Sequence, residues 1–518
     1  MSLRTLFLAA LSLGVSAWGA AAADYYVAPL GKVPSCTAAG TLACPWASVD
    51  AAFASKKIVG GDTILLMDGD HGMVVIKNQL FDRQVTIQSQ NAANAHLNAV
   101  HFDASTKNIR LRNLKVWRQD ADKDIGYLIR SYKGASYLTF ENLELRSRAD
   151  SGNFLSWSKE RWNSAATNGF ALSSTFNIVR NNTLTGVRTA ISAGSDSLVE
   201  NNVIDGFCED GMKGVSRSIF RNNRVTNSFL AIDGSHRDGF QSYTSGDPIV
   251  GLVLENNTII QWTNDPNHPL KAPLQGIGMF DGYYDDLIIR NNLIVTEHAH
   301  GITVTGTRRA RIVNNTVVNL NTVAATVPWI KVANRKDGAL SQDVLVANNL
   351  AMSFAVTPSL TSNIVLLNNS VVLDVVNAFE NPARFDYRPK ANSGFVDTAD
   401  ATEATATDIV GVTRPTGAGP DRGAYEASMT GTGTDGGTAP DGGTPDGHGL
   451  GGHDASPGDT GSTGSTGTGD TGSTGDAGTG AAGTGGHGTV TTQATTTGHM
   501  TTTTTSHKGA KFIKLLKN

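Results

Sequence analysis

SLVENNVIDG (197–206) and SIFRNNRVTN (218–227) carry one pattern: apolar residues, a charge, Asn-Asn, then apolar residues again. Six further copies are NIVRNNTLTG (177–186), LVLENNTIIQ (252–261), LIIRNNLIVT (287–296), ARIVNNTVVN (310–319), VLVANNLAMS (344–353) and IVLLNNSVVL (364–373), and two weaker ones, NIRLRNLKVW (108–117) and LTFENLELRS (138–147), precede them. Their first asparagines are Asn113, Asn142, Asn181, Asn201, Asn222, Asn256, Asn291, Asn314, Asn348 and Asn368, at intervals of 29, 39, 20, 21, 34, 35, 23, 34 and 20. An interval near 20 sets one structural unit, and the longer ones are a unit plus an inserted loop. The short, β-branched, two-periodic flanks are those of strands, and the LxxLxL pattern of leucine-rich repeats is absent. The fold these features predict is all-β: a right-handed parallel β-helix over residues 24–427. Its coils stack about 4.8 Å apart.

Asparagine suits the bend between strands because it tolerates left-handed backbone. Its amide can also bond to the same group one coil away, forming a ladder. The residue before each first Asn gives an independent check on register. In order these are Arg112, Glu141, Arg180, Glu200, Arg221, Glu255 and Arg290. Stacked coils would place opposite charges above and below each one, whereas like charges would destabilise the sheet. After Arg290 the column turns apolar at Val313, Ala347 and Leu367, so something should cover that face. Open ends expose strand edges. WASVDAAFASKKI (46–58) is predicted to be a helix closing the N-terminal end, and the repeat-free stretch after Pro389, ending in DRGAYE (421–426), to cover the C-terminal coils.

Residues 1–23 have a secretory pattern: Arg4, an apolar Leu6 to Val15, and Ala21-Ala22-Ala23 before Asp24. No later apolar run is long enough to predict a spanning helix. An exported or surface protein is expected, in an oxidising compartment where Cys36 and Cys44 could close a small loop, leaving Cys208 as a buried thiol. Residues 428–507 are Gly, Thr, Ser, Asp and Pro and have almost nothing to bury, so a disordered linker is expected. KGAKFIKLLK (508–517), within the final segment 508–518, alternates lysine with apolar residues like a short basic amphipathic tail. A net charge of −4 with interspersed signs excludes the concentrated basic face of a nucleic-acid binder. A monomer is expected.

YYVAPLG (25–31), CPWASVDAAFA (44–54), GGDTILLMDGDH (60–71), the NN coils and DRGAYE together resemble the pectin-lyase-like superfamily, and within it bacterial right-handed parallel β-helix region proteins. The resemblance implies the fold and a carbohydrate partner. It does not choose among lyase, glycoside hydrolase, uronate epimerase and non-catalytic adhesin. The NTD, paired-Asp and RIK set of polygalacturonases is absent, as is the DPHE motif of mannuronan epimerases. Asp285-Asp286 does not reproduce the former.

A second recurrent element locates chemistry: Asp210-Gly-Met-Lys213, Asp238-Gly-Phe-Gln241, Gln275-Gly-Ile-Gly278 and His300-Gly-Ile-Thr303, with Thr189-Ala-Ile-Ser192 a plainer copy. Alternation puts Met212, Phe240, Ile277 and Ile302 inside and Ser192, Lys213, Gln241, Gly278 and Thr303 outside, as a polar strip. Insertions carrying His236, Arg237, His268, Asp281, Tyr283, Tyr284 and His298 would wall it as a glycan groove. β-Elimination on a uronate needs a base for the C5 proton, neutralisation of the adjacent carboxylate, and an acid for the leaving oxygen. Lys213 is the first candidate for the base if its pKa is lowered, with His236 and His300 competing. Arg237 or Gln241 would hold the carboxylate, and Tyr243 or a histidine would be the acid. Gln275, Tyr283 and His298 complete the expected substrate contacts. Asp210, Asp238 and Asp281 could instead bind Ca²⁺, the cofactor such carboxylates would take. A polysaccharide lyase acting on an anionic glycan is the leading expectation.

Overall fold

The computed structural model describes residues 22–427 apart from 33, 34, 38, 232–234, 245 and 320–325. The expected signal through residue 21, the linker and the basic tail lie outside the described residues. No helix among the described residues is long and apolar enough to cross a membrane.

The chain coils through three parallel sheets of 15, 12 and 11 strands among the described residues. One coil shows the order: Leu198–Glu200 in the first sheet, Val203–Phe207 in the second, Asp210–Lys213 in the third, then Ile219–Arg221 back in the first. Each strand pairs in parallel with its counterparts one coil away, giving a right-handed parallel β-helix. The interior is one continuous apolar column, in which Phe140 meets Phe170 and Phe220 meets Phe240 between the first and third sheets of a coil.

The two jobs expected of one asparagine are divided between neighbours. All ten first asparagines take the left-handed conformation, with φ between 49° and 56°. The ladder belongs to the second asparagine. Asn182, Asn202, Asn223, Asn257, Asn292, Asn315, Asn349 and Asn369 form it, each Nδ2 donating to the next Oδ1 at 2.9–3.0 Å. The reason is directional. A residue at the apex of the bend points its side chain away from the coil, and the next one points into it, where a polar group must be satisfied. In the two weaker copies that inward position is Leu114 or Leu143, and the ladder ends there, with Leu143 N–H donating to Asn182 Oδ1 at 2.9 Å.

The charge column is in register over its whole length, from Arg112 opposite Glu141 to Glu255 opposite Arg290. Ion pairs form at Glu141–Arg180, Glu200–Arg221 and Glu255–Arg290, at 2.6–2.7 Å. Beyond Arg290, Val313 and Ala347 are buried, and the cover is the stretch after Pro389. It lies along the flank of the last coils, where Asn291, Asn314 and Asn348 donate to the carbonyls of Thr407, Asp421 and Asp400. Gly423 makes close approach possible there: its φ is +90°, and a Cβ would meet Leu350 Cδ1 and Thr316 Oγ1 at 2.7 Å.

A second left-handed turn, between the third and first sheets, has no constant residue type: Asn108, Tyr137, Phe176, Asp196, Arg217, Gly251, Asp286, Arg309, Asp343 and Asn363. The N-terminal helix is shorter than predicted, Val49–Ala54, because Trp46 bridges to Val27 and Lys56 turns left-handed. Its Val49, Ala52 and Phe53 join the core. Cys36 and Cys44 form the expected disulfide. Cys208 is fully buried in a satellite cluster with Phe154, Trp157, Trp162, Phe229 and Trp262, and burial pushes its thiol up to about 12. That cluster contains the helix Lys159–Ala165, which lies in the insertion expected from the 39-residue interval between Asn142 and Asn181.

Candidate functional site

The predicted strip exists on the outer face of the third sheet. Ser192, Lys213, Gln241, Gly278 and Thr303 are successive register partners, continued by Lys331. Met212, Phe240, Ile277 and Ile302 stack inside. Asp210, Asp238 and Gln275 form the column at the sheet's entry edge.

Two buried carboxylates organise the centre of the strip. Asp210 and Asp238, 2% and 0% exposed, sit on adjacent coils. Like charges so stacked repel, and each is met by a basic side chain that reaches outward. Lys213 Nζ lies 2.6 Å from Asp210 Oδ2, and His236 Nδ1 lies 2.5 Å from Asp238 Oδ2. Gln241 Nε2 also donates to Asp238 Oδ2 at 3.3 Å, and the Asp238 amide donates to Asp210 Oδ1 at 3.3 Å. Burial pushes Asp210 up to about 6, opposed by Lys213. Burial also raises Asp238, opposed by His236. An ionised carboxylate only accepts, so His236 Nδ1 donates, and in the neutral ring Nε2 is left as the acceptor. The Asp238 bond raises the imidazole above its ordinary value.

Lys213 does not meet the condition for a base. Burial lowers it, but Asp210 more than offsets that, and its ammonium is held above the ordinary lysine value. Arg237 does not reach the strip. It is 4% exposed, and its guanidinium turns inward to the carbonyls of Phe229 and Ser235 at 3.1 and 2.6 Å. Asp281 is outside the acidic pair and binds Lys336 Nζ at 2.5 Å. Tyr283 donates to Asp337, accepts from Arg335 Nη1 at 3.0 Å and lies beneath that guanidinium, so it belongs to a neighbouring loop cluster. His268 packs on Trp262 and bonds to the Leu155 carbonyl at 2.8 Å, within the satellite cluster.

Tyr284 does not wall the strip either: it is fully buried in the core, where its hydroxyl donates to the Ser242 carbonyl at 2.6 Å. Tyr243, Gln275, His298 and His300 do lie along the strip. Tyr243 is 59% exposed and close enough to Lys213 to interact electrostatically with it. His298 and His300 stack at 5.2 Å, and His300 is enclosed by Phe280 and Trp329. Burial, with His298 and Lys331 nearby, pushes His300 down to about 4, so it is neutral near pH 7. Its Nδ1 is 2.9 Å from Thr303 Oγ1. Gly278 keeps the floor low: a Cβ would come within 2.4 Å of Asp238 Oδ1 and 2.7 Å of the Phe280 ring.

Asp210, Asp238 and His236 each offer one ligand atom, all within 4.8 Å of one another. An imidazole with two carboxylates suits a transition ion better than Ca²⁺, which takes oxygen ligands. Lys213 already supplies positive charge to Asp210, and His236 donates a hydrogen bond to Asp238.

No protein-family model matches the chain, and no curated protein matches it. Among solved structures it is similar to the pectate lyase Pel9A, at 17% identity and TM-score 0.37, covering 78% of this chain and 96% of that one. It is similar to the A-module of the Azotobacter vinelandii mannuronan C-5 epimerase AlgE6, at 13% identity and TM-score 0.39, covering 62% and 92%. A rhamnogalacturonan lyase follows at 15% identity and TM-score 0.36, covering 67% and 86%. The fold rests on the sheet registers rather than on likenesses of this size: the chain is a right-handed parallel β-helix with a polar strip along its third sheet.

Proposed function

We propose that this chain is an exported polysaccharide lyase that cleaves a uronate-containing glycan by β-elimination on the outer face of the third sheet. The observation that carries the proposal is the pairing of two buried carboxylates with two outward-reaching groups of different character. Lys213 is a held cation and His236 an oriented imidazole. The carbanion-like intermediate makes carboxylate neutralisation the main electrostatic demand, and Lys213 meets it. His236 Nε2 takes the C5 proton as the neutral base. Tyr243 supplies the proton to the departing oxygen. The bond from C4 to the leaving oxygen breaks as the C4–C5 double bond forms. Asp210 and Asp238 position Lys213 and His236 and do not touch substrate.

A hydrolase fits the same residues less well. It needs two carboxyl groups facing the scissile bond, and here both are buried and engaged. The test is a product assay on a panel of uronate polymers, with and without chelator. The expected result is unsaturated product absorbing in the ultraviolet, undiminished by chelator, because charge neutralisation is assigned to Lys213 rather than to a metal. Lys213→Ala should lower kcat/KM by about 10²-fold, the usual cost of one preorganised charge-stabilising group. New reducing ends without unsaturation, altered uronate composition without cleavage, or binding with no product across the panel would each sink the lyase reading. Loss of product on chelation would return the role of Lys213 to a metal at Asp210, His236 and Asp238.

A further inference from the structure

The outer row that contains Lys213 continues three coils toward the N-terminus, through Ser192 and Ala171 to Arg130. Arg130 lies between two tyrosine rings, its guanidinium carbon 4.8 Å from the Tyr127 centroid and 4.5 Å from that of Tyr132. Tyr132 is 44% exposed. The other arginines described along this row's flanks are tied to carboxylates or carbonyls: Arg188 to Glu209, Arg217 to Asp196, Arg118 to Ser164. Arg130 has no such ion pair among the described residues. Its neighbour on the preceding coil is His101, whose ring bonds to the Tyr127 carbonyl and is lowered by burial, so it brings no competing charge near pH 7.

A guanidinium held between aromatic faces is fixed in orientation while its edge N–H groups stay available, and that fork matches a planar anion bidentately. Fixing the side chain before binding also removes much of the entropy cost of capturing a ligand. The floor between Arg130 and Lys213 is made of the small side chains Ala171 and Ser192, so nothing stands between the two cations. At about 4.8 Å per coil they are roughly 14 Å apart, more than one sugar can bridge.

We propose that Arg130, clamped by Tyr127 and Tyr132, is a second anion-binding subsite for the acidic group of a sugar distant from the reacting one, making this face selective for polymers with repeated acidic groups. The inference rests on the polysaccharide-active reading of the strip, but not on its reaction type. It is tested with the full chain by affinity electrophoresis in gels containing polygalacturonate, alginate, chondroitin sulfate or neutral dextran. The acidic polymers should retard the protein and dextran should not. Arg130→Gln should weaken the apparent affinity about tenfold, and Arg130→Lys should recover only part of it, since an ammonium lacks the planar fork. Stronger dependence on Arg130 with chondroitin sulfate than with the uronans assigns sulfate as the preferred group, and the reverse assigns carboxylate. Should Arg130→Gln fail to fold, Tyr132→Ala, which opens the clamp from its exposed side, should give a similar loss. Retardation by every acidic polymer that is unaltered in these variants overturns the inference, as does equal retardation by dextran or none by any acidic polymer. Because the readout is binding, an Arg130-dependent shift without product would leave the subsite standing while removing the lyase reading.

Discussion

Replacing Asn257 by alanine should destabilise the β-helix by about 3–5 kcal/mol, whereas alanine at the adjacent Asn256 should cost about 1–2 kcal/mol. Asn257 is 2% exposed. Its Oδ1 accepts from both the backbone N–H and Nδ2 of Asn223 at 3.0 Å, and its Nδ2 donates to the Phe220 carbonyl and to Asn292 Oδ1 at 2.9 and 3.0 Å. Truncation strands two donors of Asn223 and a carbonyl where no water reaches. Each buried unsatisfied group costs roughly 1–3 kcal/mol. Asn256 instead contributes mainly its tolerance of a φ of 56°. Chemical denaturation of the two variants compares them directly. A larger loss at Asn256 would mean that the bend, rather than the ladder, holds the coils in register.

The coil architecture was legible because it is written twice in the sequence. The NN spacing gives the period, and the sign alternation of the residue before each pair checks the register from Arg112 to Arg290. The division of labour within each NN pair was not legible, since two identical residues carry no mark of which points inward. The second left-handed turn escaped notice for the opposite reason. Backbone geometry, satisfied by amide-to-carbonyl bonds between coils, defines it, and residues as different as Phe176, Arg217 and Gly251 fill it. At the site, alternation placed Lys213, Gln241 and Thr303 together because the third sheet is regular there. Their electrostatics were not legible. Asp210 and Lys213 are three apart and would face opposite sides of a straight strand. They meet because Asp210 lies at the bend into the sheet. Arg237 shows the reverse failure: it sits between His236 and Asp238 in sequence, yet the same bend turns it toward the Phe229 carbonyl. The Arg130 clamp left no signal, since Tyr127 and Tyr132 lie in a copy without the polar-Gly-apolar pattern.

Removing the imidazole, as in His236→Ala, should lower kcat/KM by about 10²–10⁴-fold, the range of a positioned general base. Asp238→Asn should be milder and more informative. Neutral His236 is the active base, so the rate rises with pH through the imidazole's pKa, which Asp238 holds above the ordinary value near 6.5. An amide removes that support, so the acidic limb of the kcat/KM profile should move to lower pH while the plateau falls. An unmoved limb would show that another group sets it; a shift of the alkaline limb instead would make His236 the acid. The same linkage acts on stability. Folding raises His236, so the stability it contributes is present below pH about 6.5 and is lost as pH rises through the folded value. Burial raises Asp210 to about 6 and raises Asp238 as well, so the folded state also holds more protons than the unfolded one from about pH 4 upward. All three groups therefore act in one direction: rising pH from about 4 to beyond 6.5 withdraws their support. The opposite slope is usual for carboxylates that are ion-paired without a large burial penalty. Asp238→Asn should flatten this decline measurably in denaturation curves taken across the range, and a decline as steep as in the unmodified protein would mean that the Asp210–Asp238 pair is not its source.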